Sequence, residues 1–441
     1  MPVATDESRV DASLSADPAT EDPPEATFVV AGRLLIDPES PPDRGWLRIE
    51  RGRIAAIGDG DPPCGLSAPE LLGGDGRLVV PGFIDAHVHL PQVRAIGCVR
   101  TDLLAWLDEV IFPLEMTWAA EHVVRSDLAL FHRRLLDSGT LGAAALSSPH
   151  AAALPIVLRR AGLPPLRLMV GQALMDRGGP PALVGERPWD PDSAPASEWA
   201  PRMEVSLNPR FALSCSAALL DEAARLAGDR RFIHTHLAES ESECAAVRQL
   251  FPDDASYADL YDHHALLSPR TLLAHGVHLA PEEWETIARR GSVVVHCPQA
   301  NTFLRSGLFD LGAARDHAIR LALGSDVAAG SDLAMPRVAR SMIEVATLRS
   351  ITLDRAAPIP TPAEAWNLIT RGNADALGWH DMGRIDVGAS ADLLVLRPDF
   401  EIDRGDRREV SDVIGRLLFG WRDEWIERSI VAGVPMPSGG A

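Results

Sequence analysis

The sequence predicts an α/β fold: a (β/α)₈ TIM-like barrel joined to a small β-sandwich formed by the N- and C-terminal segments. Three observations carry this. Short apolar strands alternate with amphipathic helical stretches through the middle of the chain. Turn-rich β segments lie on either side of that middle. Histidines and acids stand at the ends of the predicted strands, where a barrel gathers them into one cavity.

Taken in order, residues 1–26 are dominated by Asp, Glu, Pro, Ser and Ala and read as a disordered acidic tail. Residues 28–36 and 46–58 read as short strands joined by turns, and 383–388, 391–396 and 430–433 repeat that texture at the far end. The composite β-sandwich is therefore expected from 27–77 plus 378–435, and the catalytic barrel from 78–377. The first barrel strand is expected at 83–90, and the next three at 142–147, 166–174 and 203–214. The last four are expected at 232–237, 271–275, 292–296 and 319–324. Helical periodicity separates most of them, at 121–138, 217–228, 281–290 and 311–317. A doubly wound open sheet is the alternative, but no Gly-x-Gly-x-x-Gly follows the first strand. Residues 176–202, rich in Pro, Gly, Asp and Ser, form a long loop after the third strand, either a lid or a tolerated insertion.

Composition sets outer bounds. With 441 residues, the chain is long enough for a large barrel and a second unit, and 46% hydrophobic residues provide a sizeable core. Acidic residues number 62 against 42 basic, a formal net charge of −20, which argues against binding nucleic acid or an anionic membrane. Every basic residue is Arg, so no lysine is present to be carboxylated as a bridging metal ligand or to form a Schiff base. The five cysteines are scattered, without Cys-x-x-Cys, and fit reduced thiols. No signal peptide and no membrane-spanning run is evident, so a soluble cytoplasmic protein is expected.

The chemistry begins at Phe83-Ile84-Asp85-Ala86-His87-Val88-His89. Side chains at i and i+2 of a strand share a face, so His87 and His89 present two imidazoles side by side. Imidazole suits zinc, and also iron or nickel. The fifth strand ends His234-Thr235-His236-Leu237-Ala238-Glu239, the sixth at His275 and the eighth at Ser325-Asp326. Three imidazoles and a carboxylate around one ion, with a position left for water, make a catalytic arrangement rather than a structural one. Each residue has an ordinary alternative. His275 fits a buried histidine bonded to backbone, Asp326 a helix cap, and His234 competes with His236 as ligand. Glu239 is placed to shuttle protons without binding the ion, although Glu241 and Glu243 nearby make a surface acid the competing reading.

Together, Pro81-Gly82-Phe83-Ile84-Asp85-Ala86-His87-Val88-His89, His236-x-x-Glu239, Ala274-His275-Gly276 and Ser325-Asp326 resemble the amidohydrolase superfamily, in particular its purine and triazine aminohydrolases. Leu90-Pro91-Gln92, Leu104-Ala105-Trp106-Leu107, Phe112-Pro113-Leu114-Glu115 and Asn208-Pro209-Arg210-Phe211 narrow the resemblance to the guanine-deaminating members. So do Gly171–Arg177, Ser306-Gly307-Leu308-Phe309 and Thr370-Arg371-Gly372-Asn373-Ala374. The resemblance covers roughly residues 28–435.

It implies zinc-dependent hydrolysis of guanine to xanthine and ammonia, with 8-oxoguanine, a pterin or an aminotriazine as alternative substrates. A non-catalytic scaffold of the same fold is the remaining reading. It implies one zinc per chain, or iron(II), held by His87, His89, His236 and Asp326. Glu239, His275 and Asp326 become the catalytic residues, with His275 holding water. Gln92, Arg210 and Phe211 become the purine-binding residues, a forked donor, an amide and an aromatic face suiting a flat polar heterocycle. A small-molecule purine partner and a homodimer are implied as well. Two stretches depart from the pattern. Val327-Ala328-Ala329-Gly330-Ser331 replaces a glycine-rich run after Asp326, and Thr140-Leu141-Gly142 stands where a threonine cluster is usual.

Overall fold

A computed structural model describes residues 27–65, 71–100, 102–160, 162–400, 402 and 410–437. The disordered-tail expectation for 1–26 lies outside the described residues. Four strands come first: β1 (Phe28–Leu34), β2 (Asp43–Glu50), β3 (Arg53–Asp59) and β4 (Leu71–Pro81). The barrel comes next, with β5 (Phe83–His89), β6 (Thr140–Leu146), β7 (Arg167–Gly171), β8 (Ala173–Leu174), β9 (Met203–Val205) and β10 (Asn208–Pro209). It continues through β11 (Ile233–Leu237), β12 (Thr271–His275), β13 (Val293–His296) and β14 (Arg320–Leu323). The chain ends in β15 (Leu393–Leu396), β16 (Ile426–Val431) and β17 (Val434–Pro435).

The barrel is parallel throughout, in the order β5-β6-β7-β9 and β11-β12-β13-β14, with β8 and β10 paired beside them. Leu207 N–H donating to Phe232 O joins the two halves on one side. On the other, Asp326 N–H donates to His87 O at 2.8 Å and His89 N–H to Val327 O at 3.2 Å, closing the seam between last and first strands. Asn373 seals that seam: its Nδ2 donates to Ile84 O and Leu323 O, each at 2.7 Å, and its Oδ1 accepts from Leu323 N–H at 2.9 Å. Two predicted strands are each split. The third breaks at Gln172, so that β8 turns to pair with β10, and the fourth divides into β9 and β10, after which 211–214 form a turn.

The ends of the chain meet in one seven-stranded sheet, ordered β17-β16-β15-β4-β1-β2-β3. The sheet curls around Val30, Leu47, Ile49, Ile54, Val79, Leu393, Val395 and Ile430, and Ile54 N–H reaches Ala389 O at 2.9 Å. The expected sandwich is thus two faces of a single continuous ladder. Period-two alternation lets β4 and β15 serve both cores: Val79, Leu393 and Val395 face the sheet's interior, while Leu78, Val80, Leu394 and Leu396 face the barrel's. Arg202 fastens the two units by a bidentate pair with buried Asp392, at 2.8 and 2.6 Å.

One helical insertion shapes the cavity. Asp102 caps Leu103–Trp106, a π-helical turn succeeds it at Leu107–Ile111, and Phe112–Met116 completes the segment. Leu103, Trp106 and Leu107 line the cavity ahead of and at the start of the π turn, and Glu115, on the turn of helix after it, bonds Gln92. Among the described residues, no helix is long and apolar enough to cross a membrane.

Candidate metal centre and its cavity

His87 and His89 leave the end of β5 on one face, His236 ends β11 and Asp326 comes just after β14. Their ligating atoms all lie within 4.8 Å of one another, and all four residues are buried. His89 Nε2 is 3.2 Å from His236 Nε2, and Asp326 Oδ1 is 3.3 Å from His87 Nε2 and 3.2 Å from His89 Nε2. Of the two histidines of β11, His236 and not His234 belongs to this cluster. His234 stands behind the quartet, its Nε2 2.6 Å from His87 Nδ1.

The donor set fits a metal ion. His87 Nε2 is buried with no hydrogen-bond partner, and His89 Nε2 and His236 Nε2 converge on the same space, 3.2 Å apart. Burial lowers the His87 imidazole to about 4 and holds His236 well below its usual range, so both are in the neutral, ligating form. Burial opposes the Asp326 carboxylate, but His87 and His89 outweigh it and hold the group well below the ordinary value. Partners behind the ligands fix their orientation: His236 Nδ1 pairs with Arg210 O at 2.6 Å, and Asp85 accepts from His87 N–H at 3.1 Å.

Glu239 lies beside this quartet. It is buried, not a surface acid, and its neighbour Glu243 is buried too. The Ser-x-x-Glu of Ser240–Glu243 forms a capping box on the helix Glu241–Leu250, and Glu243 Oε2 also accepts from Glu239 N–H at 2.9 Å. Glu239 Oε1 accepts from Ser306 Oγ at 3.1 Å, and Oε2 lies 3.4 Å from His275 Nε2. Burial pushes the Glu239 carboxyl up to about 7, with His275 pulling the other way. For His275, burial disfavours the cation, but Glu239 and Asp326 raise it above the ordinary value. Asn301 orients that ring by accepting from Nδ1 at 2.9 Å. Backbone strain marks this edge: Ala238, His275 and Asp326 all have left-handed φ, at 49°, 76° and 50°.

The cavity in front of the quartet is lined by Gln92, Arg210 and Phe211, with Leu103, Trp106 and Leu107 on the insertion. All three residues expected to bind substrate thus face the same space as His89, His236, Glu239 and Asp326. No residue of the 176–202 loop lines it. Four residues of the site had no role predictable from sequence. Glu115 bonds both Gln92 and Arg210, and Ser306 bonds Glu239; both stand inside motifs that carry the family resemblance. Asn301 and the backing role of His234 carried no signal, because their partners are remote in sequence.

Residues 78–435 match the model of the amidohydrolase family. The chain is 31% identical over 387 residues to guanine deaminase of Escherichia coli strain K12, covering 84% of this chain and 87% of that protein. Among solved structures, guanine deaminase from Bradyrhizobium japonicum is similar with a TM-score of 0.83 and 25% identity, over 94% of this chain and 100% of that one. Guanine deaminase from C. acetobutylicum with bound guanine in the active site shares the fold, with a TM-score of 0.81 at 22% identity over 93% and 100% of the two chains.

Proposed function

The chain belongs to the amidohydrolase family, and from that premise we propose that it hydrolyses guanine to xanthine and ammonia. The observation that carries this reading is one cavity lined both by Glu239 and three members of the quartet, His89, His236 and Asp326, and by Gln92, Arg210 and Phe211.

His87, His89, His236 and Asp326 are assigned one zinc ion per chain, with iron(II) as the alternative. When bound, such an ion brings the pKa of water to about 7 and so supplies a nucleophile at neutral pH. The rest falls to the chain's own groups. Phe211 packs on the flat ring, and Gln92 and Arg210 bond its polar edge. Glu239 accepts a proton as water oxygen bonds to C2 of guanine. It passes that proton to the ring nitrogen; the proton of the new C2 hydroxyl is then carried to the amine, so that C2=O forms as the C2–N bond breaks and ammonia leaves. A carboxyl near pKa 7 serves both directions of that transfer at neutral pH. As C2 becomes tetrahedral, His275 is placed to donate toward the oxygen on C2 and the Asp326 carboxylate to accept the hydroxyl proton.

We place this catalytic unit at 78–377, beside a composite β unit of 27–77 plus 378–435. We further assign the enzyme to cytoplasmic purine metabolism as a homodimer; its net charge of −20 disfavours nucleic acid and anionic membranes as partners. The test is ammonia release by purified, metal-quantified protein with guanine, 8-oxoguanine, adenine, a pterin and an aminotriazine. Release chiefly from guanine with about one zinc per chain is expected. A different preferred ring would retain the chemistry and overturn the roles of Gln92 and Arg210. Neither metal nor ammonia would leave a non-catalytic scaffold.

A further inference from the structure

Glu115 is bonded to no member of the metal-ligating quartet, yet it organises two residues that line the same cavity. It is fully buried at the end of the π-bulged insertion. Its Oε1 accepts from Gln92 Nε2 at 3.0 Å, and its Oε2 from Arg210 Nη1 at 2.6 Å. Arg210 in turn lies over Phe112, 5.4 Å from the ring centroid. An ionised carboxylate only accepts hydrogen bonds. It therefore holds the Gln92 carboxamide by its NH₂ end and turns the carbonyl oxygen the other way, where Ala328 N–H approaches at 3.4 Å. Arg210 has donors only. One buried residue thus fixes an acceptor beside a donor.

We propose that Glu115 is a specificity-determining positioning residue, which selects a lactam edge, ring N–H beside C=O, over an edge with an amino group beside a bare ring nitrogen. This rests on the reading of the cavity as a guanine site. Guanine offers N1–H to Gln92 Oε1 and O6 to the Arg210 guanidinium. 2,6-Diaminopurine carries the same reacting amine on C2, but its 6-amino group and unprotonated N1 reverse both contacts and leave buried polar groups unpaired. In E115Q the new carboxamide donates as well as accepts, so Gln92 is free to turn its NH₂ group toward the ring.

The experiment compares kcat/KM for guanine and 2,6-diaminopurine in metal-loaded wild type, E115Q and E115D. Wild type is expected to favour guanine by about 100-fold or more. E115D, still acceptor-only, keeps that preference. E115Q narrows it by roughly tenfold or more, mainly through KM for guanine. An unchanged ratio in E115Q overturns the proposal. Should E115Q fail to fold, calorimetric binding of hypoxanthine and adenine to wild type decides, since both lack the C2 amine and differ at this edge. Hypoxanthine binding about tenfold tighter or more supports the template, and equal binding overturns it. Failure of wild type to release ammonia from guanine overturns the functional reading instead, and the binding comparison still tests the edge.

Discussion

Glu239 is held on three sides, by Ser306 on one carboxyl oxygen, His275 near the other and Glu243 on its backbone N–H. None of these is a metal ligand in the assigned set, so its removal separates proton transfer from metal binding. Glu239→Gln is expected to keep its metal, measured by elemental analysis, while kcat falls by about 10²–10⁴-fold. Near-normal turnover would remove Glu239 from the chemistry. The ligand candidates were legible in sequence because strand period and strand ends place them without knowledge of remote partners. Glu115 was not. Its two partners lie 23 and 95 residues away, and nothing local distinguishes a buried acid that pairs with them from a helix-surface acid.

At the scale of elements, the loop after β14 is tight although two alanines stand in place of a glycine-rich run. Ala328 and Ala329 are buried, and the turn is kept tight by Gly330, whose N–H donates to Asp326 O at 2.7 Å. A Cβ on Gly330 would stand 1.7 Å from Ser325 O, against backbone that carries Asp326. Gly330→Ala is therefore expected to cost roughly 1–3 kcal/mol in denaturant unfolding, and to loosen metal retention in chelator competition. The helix Glu121–Ser138 carries a pH liability of its own. Burial, reinforced by Arg160, lowers His132 to about 4. The unfolded chain protonates this histidine near 6.5 while the folded one resists, so its contribution to stability is present above 6.5 and is lost as pH falls toward 4. His132→Leu should flatten the fall in unfolding free energy between pH 7 and 5 by about 1–2 kcal/mol. An unaltered slope would show that His132 is not buried in its neutral form. The barrel strands were legible from apolar runs between helical periods. The breaks at Gln172 and between β9 and β10 were not, because they arise from strands changing partners.

For the molecule as a whole, the barrel closes where its chemistry is. Asn373 satisfies three buried backbone groups across the seam between β14 and β5. Asn373→Leu leaves them unpaired and is expected to cost several kcal/mol, at about 1–3 kcal/mol per orphaned group, read as a large fall in Tm. Stripping the metal should lower Tm as well, since a ligand at a hundred times its Kd stabilises the folded state by about 2.7 kcal/mol. An unchanged Tm on chelation would argue that no ion bridges the quartet.

That seam has a bearing on how the protein is made. His87 and His89 leave the ribosome early, His236 much later and Asp326 later still, and Asn373 emerges after them all. A nascent chain therefore carries an incomplete set of donors for most of its synthesis, and the set is complete only when the last barrel strand docks against the first. Under the proposed metal assignment, the full quartet becomes available only at the end of assembly, and a retained ion is expected to report that the whole barrel has closed.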